Sequence, residues 1–142
     1  MKISDIVRHK GSDVVTISPE SSVRELLARL AEHNVGALVV VRGESVVGMV
    51  SERDVVRKLH SYGDQVLSAS VESLMTPTVV SANLDDSLDT LASAMTDNRV
   101  RHVPILTEGR LVAIVSIGDV VAGRIRQLEA ERHQLETYIT HG

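Results

Sequence analysis

Apolar positions along the 142-residue chain follow two alternating rhythms. Val23, Leu26, Leu27 and Leu30 fall at i, i+3, i+4 and i+7, which predicts one apolar stripe on an α-helix. Leu88, Leu91, Ala92 and Met95 repeat the same spacing. Each stripe is followed by two short β-branched runs joined by a polar turn. These are residues 37–41 and 46–51 across "RGES", then 103–106 and 111–116 across "TEGR". The pattern predicts two hairpins, with the turn glycine supplying the positive φ that a tight connection needs. "DVVTI" and "TVVSA" precede the stripes and read as further strands, the first ended by Pro19. Ser22-Val-Arg-Glu25 is a capping-box sequence for the first helix, and second helices are predicted to begin near Arg53 and Gly118.

The unit is therefore β-α-β-β-α, written twice. Sliding the chain by 65 positions aligns 14–56 with 79–121 without a gap, and 11 of the 43 pairs are identical. A unit of about 50 residues buries too little surface to stand alone, so two copies sharing a core about a pseudo-twofold axis are expected. The fold class is α/β (α+β). Residues 1–62 form the first repeat, 63–73 a linker, 74–125 the second repeat and 126–142 a C-terminal helical extension. Val121, Ile125, Leu128, Leu135 and Ile139 make a heptad stripe that runs into this extension, with Arg132 interrupting it. Such a stripe either packs on its own module or pairs with a second copy.

Composition narrows the function. Apolar residues make up 43% and charged residues 24%, the balance of a globular protein rather than a disordered one. The net charge of −4, two Tyr and no Phe or Trp argue against nucleic acid, which favours basic patches and stacking platforms. The longest uncharged apolar stretch, 35–41, is far short of the roughly 20 residues of a membrane helix. No secretory signal pattern opens the chain and there is no Cys, so a cytoplasmic location is expected. The six His form no metal-binding motif. The glycine spacing of Gly43 and Gly48 matches a P-loop, but Met49-Val50 replace its Lys and Ser/Thr. No catalytic constellation is present, and a non-enzyme is expected.

The identical pairs include one corner that carries chemistry: Ser51-x-x-Asp54 and Ser116-x-x-Asp119, each between a strand and a helix. Ser at N-cap with an acid at N3 is a capping box, and capping alone accounts for one such corner. The same corner also offers unpaired N–H groups to a phosphate and a carboxylate to a ribose. Capping boxes commonly use Glu or Gln at N3; the shorter Asp stands here both times.

With "GMVSERDVV" and "AIVSIGDVV", and with "TISPESSVRELLARLAEHNVGALVVV" and "MTPTVVSANLDDSLDTLASAM…RHVPIL" before them, the chain resembles a tandem pair of CBS domains, a Bateman module. The resemblance runs from about Ile3 to Ile125, and "ERD…RK" is similar to stand-alone bacterial members. It implies a non-catalytic sensor that binds an adenine nucleotide (AMP, ATP or NAD) or an adenosyl metabolite between the repeats. Such a sensor passes a shape change to an effector protein and forms a homodimer. Carried onto this chain, Asp54 and Asp119 would hold ribose, with Ser51, Arg53, Arg57, Lys58, Arg101, His102 and Ser116 near phosphate. Arg99 adds a further cation, and Arg57 and Lys58 read equally well as solvated surface. Val14, Ile17, Val35, Met49, Val79, Val100 and Ile114 would form the adenine pocket. Ala113 stands where the first copy has Gly48, and its Cβ is expected to crowd a base in the second site. The alternative is a ligand-free structural or interaction module whose corners only cap helices.

Overall fold

The computed structural model describes residues 1–11, 13–77 and 80–141. In chain order the elements are α1 (Ile3–Lys10), β1 (Thr16–Ile17), α2 (Val23–His33), β2 (Ala37–Arg42), β3 (Ser45–Ser51) and α3 (Glu52–Tyr62). Two 3₁₀ turns follow, Gly63–Ser68 and Val71–Ser73, then α4 (Leu88–Asn98), β4 (His102–Thr107), β5 (Arg110–Ser116) and α5 (Ile117–His141). In the first half β1 runs parallel to β2, and β2 pairs antiparallel with β3. In the second half β4 and β5 form the matching hairpin.

The duplication holds at the level of single residues. Ile17 pairs with Val40, and 65 residues later Ala82 bridges Ile105, both in parallel. Both hairpins carry a register shift at the same place, between Val40 and Val41 and between Ile105 and Leu106. The strand expected at "TVVSA" is present as the single bridge at Ala82; Thr78 and Val79 lie outside the described residues.

Helix stripes and strand interiors build two cores. Val23, Leu26 and Leu30 of α2 pack with Leu38, Val40, Val50 and Val55, while Leu27 is partly buried against them. Leu88, Leu91 and Met95 of α4 pack with Val103, Ile105, Val115 and Val120. Burying one Val, Leu or Ile side chain is worth about 1.5–3 kcal/mol, so these stripes fix which helix face turns inward.

Packing exchanges the segments that precede each repeat. Val66, Val71 and Leu74 complete the first core, so residues 63–73 are packed structure rather than a free tether. Ile3 and Ile6 of α1 are buried in the second core, at 0% and 1% exposure. Backbone contacts repeat the exchange: Ser22 bridges Ser70, and Ser87 bridges Lys2. Gly123 permits it on the α5 side, since a Cβ there would lie 3.3 Å from Ile6. Beyond Gln127, α5 is exposed through Thr140. No helix among the described residues is long and apolar enough to cross a membrane.

Candidate functional site

Both Ser-x-x-Asp corners cap helices. Ser51 ends β3 and N-caps α3: its Oγ accepts the Asp54 N–H at 3.3 Å. In return Asp54 Oδ2 accepts the Ser51 N–H at 2.8 Å and its hydroxyl at 3.0 Å. At the start of α5, Ser116 Oγ accepts the Asp119 N–H at 3.1 Å, and Asp119 Oδ2 accepts the Ser116 N–H at 2.8 Å. Each cap thus pins a half-buried carboxylate at the end of its hairpin. Capping occupies Oδ2. Among the described residues no side chain or backbone group hydrogen-bonds Asp54 Oδ1, and no cation pairs with Asp54.

Two clefts open beside these corners, and each is built by both halves. The first, of about 340 Å³, combines Met49, Ser51, Glu52, Arg53 and Asp54 of one half with Arg99, Val100, Arg101 and His102 of the other. Thr76, Pro77 and Val80 also line it. The second, of about 250 Å³, combines Ile114, Ser116 and Asp119 with Val35, Gly36 and Ala37, and Lys10 reaches into it. Gly36, Ala37 and His102 border both. Only the first reaches the roughly 300–1,000 Å³ common for small-molecule sites.

The cross-half construction separates the charges. The segment facing Asp54 is Arg99-Val-Arg-His102, whereas its repeat counterpart is Asn34-Val-Gly-Ala37, of which Val35, Gly36 and Ala37 line the Asp119 cleft. Arg53 likewise has Gly118 as counterpart. Arg53, Arg99 and Arg101 therefore converge on one cleft, exposed, and among the described residues none is paired with a carboxylate. Arg99 ends α4 with φ +54°, the left-handed conformation that Asn34 adopts at the end of α2. Asn takes this conformation readily; a residue held in it without such aptitude costs about 1–3 kcal/mol. His102 is half-buried, and burial pushes its pKa below the ordinary 6.5, with Lys10 and Arg101 acting in the same direction against Asp119 and Glu52. It stands neutral beside the arginines at pH 7.

Several expected residues sit elsewhere. Ile17 is in the first core at 1% exposure, because the β1–β2 pairing turns it inward, and it lines neither cleft. Val14, Arg57 and Lys58 also lie outside both linings; the Lys58 ammonium sits 5.2 Å from the centroid of the Tyr62 ring. Val79 falls outside the described residues.

The expectation for Gly48 and Ala113 is corrected. A Cβ on Gly48 would meet the Thr76 carbonyl oxygen and Met75 Sδ, both at 2.8 Å, so its bareness admits the chain crossing β3 rather than a base. Thr76 exchanges two 2.9 Å backbone hydrogen bonds with Met49 there. Ala113 is buried in the second core at 1% exposure and faces no cleft.

A family model for the CBS domain matches residues 3–61 and again 71–125. The chain belongs to the CBS-domain family, and its two repeats pack as a Bateman module. It is similar to CBS domain-containing protein CBSX3, mitochondrial, of Arabidopsis thaliana, with 32% identity over 149 residues covering 99% of this chain and 72% of that protein. Among solved structures, the CBS-domain containing protein ATU1752 from Agrobacterium tumefaciens matches with TM-score 0.84 and 40% identity, covering 87% of this chain and 99% of that one. The CBS domain pair of MJ0100, solved with 5′-methylthioadenosine and S-adenosyl-L-methionine, shares the fold at TM-score 0.76 and 24% identity, covering 86% and 98%.

Proposed function

We propose that this chain is a non-catalytic regulatory module that binds an adenine ribonucleotide or related adenosyl metabolite in the Asp54 cleft. One observation carries the reading: a capped carboxylate faces, across one cleft, a neutral His and three arginines that have no carboxylate partner among the described residues. The carboxylate suits a ribose diol, the arginines suit phosphate, and Met49, Val80 and Val100 suit a base. Charge sorting favours a ligand that carries phosphate, such as AMP, ATP or NAD, over an uncharged nucleoside. On this reading the ligand bridges the two halves. It selects the relative setting for which its affinity is higher, the thermodynamic requirement for signalling to an effector protein. The chain works in the cytoplasm as a homodimer, with the exposed stripe of α5 contributing to the contact.

The test is mass spectrometry of small molecules released from natively purified protein, followed by calorimetry with AMP, ATP and NAD. An adenylate binding at micromolar to sub-millimolar concentration is expected. No heat from any of them at millimolar concentration would leave the capping role as the sole function of the corners.

A further inference from the structure

The two corners differ in one contact that the repeat does not predict. Lys10 Nζ lies 2.6 Å from Asp119 Oδ2 and donates at 2.7 Å to the carbonyl oxygen of Ile114. It thereby spans the second cleft from the strand that would flank a base to the carboxylate that would hold a ribose. The Lys10 side chain is 31% and the Asp119 side chain 23% exposed, so the pair is partly shielded from water. Burial raises the Asp119 pKa, but hydrogen bonds from Lys10 and Ser116 and the charge of Lys10 outweigh it and hold the group below its ordinary 3.8.

The origin of Lys10 lies in the chain length before each repeat. The bridges Ser22–Ser70 and Ser87–Lys2 place residue 2 opposite residue 70, an offset of 68, whereas the repeats themselves are offset by 65. The segment before the first repeat is thus three residues longer, close to one turn of helix. That added turn lengthens α1 and brings its last residue, Lys10, to Asp119. In the first half the carbonyl equivalent to Ile114, that of Met49, is bonded instead by the Thr76 N–H. Asp54 there keeps no cation partner among the described residues.

We infer that Lys10 is a built-in occupant of the second cleft, and that it confines ligand binding to one site per chain, at Asp54. This inference rests on the adenylate reading of the Asp54 cleft. The second cleft is smaller and lacks counterparts of Arg53, Arg99 and Arg101, so a ligand entering it has little to offset displacement of the ammonium. Lys10 bonds the capped oxygen Oδ2, so it opposes a ribose by filling the cleft and neutralising the Asp119 charge rather than by taking Oδ1.

The experiment is calorimetric titration with AMP up to millimolar concentration, on wild type, Lys10→Met, Lys10→Arg and the Lys10→Met/Asp54→Ala double variant. Circular dichroism melts check that each folds. Wild type and Lys10→Arg are expected to bind one AMP per chain. Lys10→Met is expected to bind a second, at least tenfold more weakly for want of the arginines, and the double variant should keep only that second site. Two sites on wild type, or a single site on Lys10→Met, would overturn the inference and leave the Asp54 reading intact. Binding by Lys10→Met and its Asp54→Ala double variant but not by wild type would uphold Lys10 and overturn Asp54. Silence from all four proteins would overturn both.

Discussion

Replacing Asp54 by Asn separates the two duties of the corner. The Asn carbonyl oxygen keeps an acceptor for the Ser51 N–H, which Asp54 now holds at 2.8 Å, so the N-cap of α3 persists. The loss in stability should stay within the about 0.5–2 kcal/mol that a whole cap contributes. The charge facing the cleft disappears. A ribose hydroxyl donating to the free Oδ1 makes a charged hydrogen bond worth roughly 1.5–3 kcal/mol. Its loss corresponds to about 10–150-fold in Kd. Calorimetry with AMP and 2′-deoxy-AMP on both proteins is the assay. AMP should weaken by that factor on Asp54→Asn. The deoxy analogue should be weak on wild type and lose little more on the variant, since the two changes delete the same contact. Equal AMP affinity for Asp54→Asn and wild type would refute the hook and leave Asp54 as a cap alone.

Other outcomes follow from the same geometry. Gly48→Ala forces β3 away from Met75 and Thr76 and should cost about 1–3 kcal/mol, read as a lower denaturant midpoint with unchanged slope. Because the His102 pKa is lowered on folding, the unfolded chain binds the proton more readily; stability should fall as pH drops below 6.5 towards the lower folded value. His102→Asn should remove that part of the decline, and melts at pH 5.5 and 7.5 measure it. Deleting the chain from Leu128 removes Leu128, Leu135 and Ile139, exposed at 57%, 62% and 76%. Sedimentation should then show a weaker dimer than wild type, and an undiminished dimer would take α5 out of the contact.

Much of the architecture was legible because it rests on local periodicity. The stripes of α2 and α4, both hairpins and both capped corners are set by residues within a few positions of one another, and duplication let each half check the other. What escaped was long-range. That Asp54 faces Arg99, Arg101 and His102 follows from the packing of one half on the other, and no spacing encodes it. Arg57 and Lys58 share a motif and, at i+3 and i+4, a helix face with Asp54, yet lie outside the cleft, because they stand one turn further along α3 from the N-terminus that borders it. Ile17 reads as pocket in the sequence, and only its pairing with Val40 turns it into the first core. The role of Lys10 had a faint trace: Ile3 and Ile6 share the spacing of Val71 and Leu74, at an offset three residues longer than that of the repeats.

The exchange of leading segments between the cores also sets an order on the ribosome. The first core is complete once Leu74 has emerged. Ile3 and Ile6 must wait for α4, the second hairpin and Val120, the last residue of their own core in the chain. At about 5–20 residues per second, that delay is roughly 6–23 s. Ile3 and Ile6 are therefore made before the first core yet covered after it. The apolar face of α1 stays open to chaperones throughout synthesis of the second half, and α1, with Lys10 at its end, docks only after the Asp119 corner exists.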